Sequence, residues 1–458
     1  MAESKPKPML MLNPRPPSHW SLLDERALAK IFQNLNLYDL LQIGEIDVNY
    51  QQIIGEHIIS KGILDISAVS KHYSTHHAFK QLGAFATELR VKETDIQWKS
   101  DQYTHIEEIF RLIDKRCTVG RLKSIAIALD RPKVSRLVHN IPDAFKEIES
   151  LAIDMRMEKH FVRRDKEQIK LVPVEIDFDG LVEMLLSNCP NLHSLKLSGQ
   201  HKNWNFLLHP QVQTLRSLSF DNCYIYYHIW TEFIEAGVRP TKCLEIIELE
   251  IYDEYDYEQS SWQGIDYNAF VQEVAKVFPN LEKFKFEMSK AYDIMSWVAL
   301  PNLRALKEVF VRSYHENDLI SSVTKMNTVE KLSACFDSTL SNEIQTLTNL
   351  RCAEIINPDE NHFSLYNELL QLPQLSELVL IVYGPIDKTL ISKIVESLPV
   401  RLHTLRISNK TKITSGLYSS LVKLRRASLP NAPPLHLHAR FDPLKRYCPK
   451  IIIAYKID

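Results

Sequence analysis

Apolar and polar residues alternate in short bursts that recur along the chain, clearest at Pro190-Asn191-Leu192-His193-Ser194-Leu195-Lys196-Leu197. Leu195 and Leu197 fall on one face of an extended segment and Lys196 on the other. The phrase returns at Phe278-Pro279-Asn280-Leu281 before Phe284 and Phe286, at Leu300-Pro301-Asn302-Leu303, and at Leu372-Pro373-Gln374-Leu375 before Leu378 and Leu380. Leu215, Leu218, Phe220, Cys223 and Ile225 fill every slot of a Leu-x-x-Leu-x-Leu-x-x-Cys-x-Leu pattern. Helical stripes lie between such bursts, for example Phe270-Val274-Val277 and Leu390-Ile394-Leu398. No single copy can bury its apolar face, so the copies must stack.

Further units begin at Leu122, Ile148, Leu244, Leu306, Val329, Leu350, Leu402 and Leu424. Most spacings fall within the ~20–29 residues of leucine-rich repeats. The predicted fold is α/β: a curved leucine-rich-repeat solenoid of about a dozen units, with parallel strands on the concave face and helices on the convex face. The chain has 458 residues, too many for one compact core and ample for a stacked one.

Residues 1–18 carry five prolines, two lysines and one arginine around Met9-Leu10-Met11-Leu12, a patch too short for a signal-peptide core. They are expected to form a disordered tail. Residues 19–62 read as a module of three short helices, and 63–458 as the solenoid. In the module Ser21 has Asp24 three residues on, a capping-box spacing, and Leu28, Ile31, Phe32 and Leu35 form one helical stripe. Asn36 caps a second helix with Leu40, Leu41 and Ile43, and Asp47 a third with Tyr50, Ile53, Ile54 and Ile58. Three helices of this length make a poor core alone, so some of their apolar surface should meet a partner. The same helices would equally serve as the cap that a repeat array needs.

Charge and composition narrow the function. Fifty-five basic residues against 57 acidic leave no global field for nucleic acid or an anionic membrane. The 11 glycines include no Gly-x-x-x-x-Gly-Lys or Gly-x-Gly-x-x-Gly setting, which excludes a backbone phosphate cradle. No run is long enough to span a bilayer. The seven cysteines lack any Cys-x-x-Cys pair, and read as reduced, mostly buried thiols of a cytoplasmic or nuclear protein. His72 and His76 have helical spacing without a third ligand, His436 and His438 share a strand face with nothing to complete a site, and Cys448 has no basic partner. No catalytic residue, metal site or cofactor is expected.

Ser21-Leu22-Leu23-Asp24-Glu25, Leu28, Ile31-Phe32, Leu35, Asp39-Leu40-Leu41 and Ile46 before Tyr50 resemble an F-box. Leu23 stands where that family usually has proline, and Asp47 and Tyr50 where cysteine and tryptophan are common. An F-box before leucine-rich repeats resembles the substrate receptors of SCF-type cullin–RING ubiquitin ligases. The resemblance implies that Leu22, Asp24, Leu28, Ile31, Phe32, Leu35, Leu40, Leu41 and Ile46 dock the S-phase-kinase-associated adaptor of the cullin. It also implies that the repeats hold a protein substrate for ubiquitin transfer by other subunits. A repeat scaffold without a ubiquitin role is the alternative, and an enzyme with a divergent site a third.

The strand pattern also locates a binding face. The residue between the last two apolar positions of each unit points into the groove: Ala126, Ala152, Lys196, Ser219, Glu248, Lys285, Phe310, Ser333, Glu354, Val379, Arg406 and Ser428. From Lys285 onward this strip combines size, apolarity and both charges, so Lys285, Phe310, Glu354, Val379 and Arg406 are the candidate substrate contacts. A Pro-rich return after Leu429 would instead cover Phe310. Two long gaps, one carrying Arg156, Lys159, His160, Arg163, Arg164 and Lys166 and one running Tyr252-Asp253-Glu254-Tyr255-Asp256-Tyr257-Glu258, are either binding loops or ordinary solvated ones.

Overall fold

A computed structural model describes residues 23–66, 75–92, 105–128, 143–155, 178–200, 204–247, 249–252, 267–287, 297–312, 319–334, 343–356, 363–382, 388–399, 401–402, 404–409, 435–439 and 453–457. They fall into two compact units, the first comprising those up to Leu151 together with 188–191.

The first unit opens with helices α1 (Glu25–Phe32), α2 (Leu37–Ile46) and α3 (Val48–His57). Each starts where a polar side chain takes an orphan amide: Asp24 accepts from the Ala27 N–H, Asn36 from Asp39 and Asp47 from Asn49. Asp24, not Ser21, is therefore the first cap, and Ser21 lies outside the described residues. Phe32 is fully buried, edge-on to Tyr50 with ring centres 5.9 Å apart. Gly55 lets α3 approach Phe85, because a β-carbon there would sit 2.4 Å from that ring.

Strand β1 (Ile63–Asp65), α4 (Thr75–Leu82), β2 (Glu88–Lys92), α5 (His105–Arg116) and β3 (Ser124–Ala128) follow, and the unit ends within β4 (Ser150–Met155). β1, β2 and β3 pair in parallel, with Leu64, Leu89 and Ile125 in register and all fully buried.

The second unit contains α6 (Phe178–Asn188), β5 (Ser194–Gln200), α7 (Pro210–Gln213), β6 (Ser217–Tyr226), α8 (Tyr227–Glu235), β7 (Cys243–Ile247), β8 (Glu250–Tyr252), α9 (Tyr267–Val277) and β9 (Lys283–Glu287). It continues through β10 (Glu308–Arg312), α10 (Leu319–Val323), β11 (Lys331–Ala334), β12 (Cys352–Ile356), α11 (Phe363–Leu370), β13 (Glu377–Val382), α12 (Lys388–Ser397), β14 (Thr404–Asn409), β15 (Leu435–Ala439) and β16 (Ile453–Ile457). Each strand from β5 to β15, β8 aside, pairs in parallel with the next, and β8 pairs with the end of β6. β16 closes the series antiparallel to β15. The left-handed φ of Asn222, which asparagine tolerates, sits where β6 turns from pairing with β7 to pairing with β8.

In β2–β7 and β9–β14 two side chains per strand, such as Leu195 and Leu197 or Phe284 and Phe286, point inward and are buried to 2% exposure or less. Phe220 and Phe286 of the strands, with Trp204, Trp230, Phe270 and Trp297, form a continuous column of ring contacts. Adjacent rungs are also tied at one backbone atom. The Lys242 carbonyl accepts the N–H groups of Glu282 and Lys283, and Glu282, Lys307, Glu330 and Arg351 each serve the following rung in the same way.

Candidate functional site: the outward rows of β7 and β9–β13

The inward pairs leave three outward positions per strand. The register aligns the central ones as Lys196, Ser219, Glu245, Lys285, Phe310, Ser333, Glu354, Val379 and Arg406. Glu245, not Glu248, stands between Ser219 and Lys285 in this row: the doublet Ile246-Ile247 obscures the alternation, and the ladder pairs Glu245 with both neighbours. Ser428 lies outside the described residues, and His438 is the register partner of Arg406 on the next strand. The Pro-rich stretch and both long gaps, apart from Tyr252, are likewise outside them.

These rows form a groove of about 350 Å³ on the strand face. Its centre is Phe310, half-buried, with the Lys331 ammonium 4.9 Å and the Lys283 ammonium 5.8 Å from the ring centre. Lys283 also reaches Glu245 at 2.7 Å, and Arg312 reaches Glu287 at 2.6 Å, with Lys285 3.8 Å from the same carboxylate. Burial alone would push the Lys283 ammonium down, but its hydrogen bond to Glu245 and the nearby carboxylates outweigh this and leave it raised. Ser333 is buried and donates to Glu354 at 2.6 Å. Ile356 and Ile381 supply an apolar end. Of the predicted contacts, Lys285, Phe310 and Glu354 line the groove, whereas Val379 and Arg406 continue its central row beyond it. Arg406 is paired with Glu377 at 2.7 Å.

Reading only the central row missed Lys283, Glu287, Arg312, Ile356 and Ile381. The missed signal was the same period of two, carried one step outward on each strand.

With its charges balanced and an aromatic at the centre, the groove is suited to a polypeptide of mixed side chains. It offers no field for a polyanion. Burial pushes the Cys117, Cys189, Cys223 and Cys352 thiols up to about 12, and these residues hold no thiolate at neutral pH. Among the described residues no group of three His, Cys, Asp or Glu could hold a metal ion, and no helix is long and apolar enough to cross a membrane.

The residues expected at an adaptor surface divide sharply. Leu28, Phe32, Leu40 and Leu41 are buried inside the module, where they hold α1–α3 together rather than facing a partner. Asp24 is an exposed cap, Leu35 is half-buried, and Leu22 lies outside the described residues. Ile31 and Ile46 are exposed, and so are Leu23 and Val48, the latter the first residue of α3 and outside the stripe of that helix.

The architecture defines an α/β repeat protein of the leucine-rich type, with short helices at its N-terminal end. No protein-family model matches the sequence, and no curated protein matches it. Among solved structures it is similar to "Crystal structure of Rad7 and Elc1 complex in yeast", at 14% identity and a TM-score of 0.35, covering 87% of this chain and 92% of that one.

Proposed function

We propose that the chain is the non-catalytic substrate-binding subunit of an SCF-type ubiquitin ligase. In this reading residues 19–62 dock the S-phase-kinase-associated adaptor of the cullin, and the strand rows of 63–458 hold a protein substrate in the cytoplasm or nucleus. The chain's chemical contribution is proximity: a substrate lysine is held near the charged conjugating enzyme.

The observation that carries the reading is the apolar surface left in water by the F-box-like helices. Ile46 is 70% exposed and Val48 76%, on either side of the Asp47 cap, although the module's own core is complete without them. Exposed aliphatics on helices with a formed core are expected of a docking face. Affinity capture of the full chain tests this. The wild type should bring down cullin and adaptor, and Ile46→Asp with Val48→Asp should bring down neither while melting at the parent temperature. A wild-type chain that captures no cullin leaves the repeat scaffold without a ubiquitin role.

A further inference from the structure

We infer that a cleft between α4 and α5 of the first unit binds a phosphorylated serine or threonine of a polypeptide, an assignment independent of the ligase reading. The cleft holds about 290 Å³. Its walls are His76, His77 and Lys80 from one helix and Arg111, Lys115 and Arg116 from the other, over the buried Leu112. The pairs 76/80, 111/115 and 112/116 are each i, i+4, so each helix presents one face. Among the described residues no acidic side chain lines the cleft.

The Lys and Arg side chains of these two facing helices repel one another, and a fold relieves such repulsion with interleaved carboxylates. The strand groove does so, through Lys283–Glu245 and Arg312–Glu287. Here relief is partial: Glu45 of α2 reaches His77 at 2.6 Å, and His76 and Arg111 also have partners, while Lys80, Lys115 and Arg116 have no ion-pair partner among the described residues. Lys80, Arg111, Lys115 and Arg116 bring four Lys and Arg side chains to one cleft. A dianion matches four converging cations better than a single carboxylate does. The half-buried Arg111 adds a planar fork for bidentate contact with phosphate.

The geometry favours a phosphopeptide over nucleic acid. Nucleic acid is held by cations strung along its backbone, whereas these gather in one hollow of a chain whose net charge is −2. A hollow of this size takes a phosphoryl group with its flanking residues. Side chains, rather than a glycine-rich loop, make the site.

Fluorescence anisotropy on the full-length chain tests the inference, using labelled peptide libraries with a fixed central phosphoserine or serine, at low and near-physiological salt. The phosphoserine library should bind at least ~10-fold tighter, and Lys80→Glu with Lys115→Glu should lose about that factor at an unchanged melting temperature. Equal binding of the two libraries would overturn the inference. So would undiminished phosphoserine binding by the variant, or binding confined to single-stranded RNA or anionic vesicles. Should the double variant unfold, Lys80→Ala, at an exposed position, decides by the same readout.

Discussion

The Lys331 ammonium sits 4.9 Å from the centre of the Phe310 ring, on the strand next to it, and Lys283 approaches the same ring from the other side. An aromatic ring between two cations is held in place before any partner arrives, which lowers the ordering cost of binding. Phe310→Ala should therefore weaken substrate capture by about 2–4 kcal/mol, against less than about 1 for Lys196→Ala. Quantitative capture of crosslinked substrate checks this, with adaptor capture as the control. Loss of thermal stability without loss of capture would show instead that Phe310 is covered by the chain itself.

Stacking is tested one residue apart. Leu195 is fully buried, while Lys196 beside it is half-buried and paired with Asp221 at 3.2 Å. Leu195→Asp places an unpaired charge between rungs and should cost about 4 kcal/mol or more. Lys196→Asp exchanges an attraction for a repulsion at a wet surface and should cost about 1 or less. Equal shifts in chemical denaturation would mean that the register is displaced by one residue.

Arg239 is a buried cation, 1% exposed and stacked 3.8 Å from the centre of the Phe233 ring. Its Nη2 donates to the Phe233 carbonyl at 2.7 Å, and burial pulls the guanidinium down to about 10, still charged at neutral pH. Lysine can neither stack flat nor present a fork, so Arg239→Lys should destabilise the second unit by about 1–3 kcal/mol. Calorimetry of the variant and parent decides it.

The buried thiols set an alkaline limit. Cys117, Cys189, Cys223 and Cys352 rise to about 12 in the folded chain and return to the ordinary thiol range near 9 when unfolded. Below pH 9 both states hold the proton; above it the unfolded state sheds it first, so stability falls as pH rises from about 9 to 12. At pH 8.5 the native chain should leave these four unalkylated by iodoacetamide, and denaturant should expose them. Peptide mass spectrometry reads the labels, and rapid native labelling at Cys223 would contradict this packing.

Local spacing made much of the fold legible. Asn36 and Asp47 were recognisable as caps, the stripes Phe270-Val274-Val277 and Leu390-Ile394-Leu398 correspond to α9 and α12, and the Leu-x-Leu pairs marked the inward strand positions. Where two isoleucines stood together, at Ile246-Ile247, alternation no longer chose a face and only the neighbouring strands could. The site was less legible. A stripe names the residues of one helical face but does not say whether that face is core or surface, which is why Phe32 and Ile31 looked equivalent. Lys80 and Arg116 are far apart in sequence, and only the packing of α4 on α5 makes them neighbours.

Beside the strand ladder, one carbonyl that accepts two amides fixes where each of these rungs begins. The peptide between two fastening points can lengthen or shorten without shifting the outward letters of its neighbours. Lys242 and Glu282 occupy successive fastening points over an interval far longer than that from Glu282 to Lys307, yet Glu245, Lys285 and Phe310 stay level. A face built this way can be respelled one rung at a time, and insertions between rungs leave the word it displays unchanged.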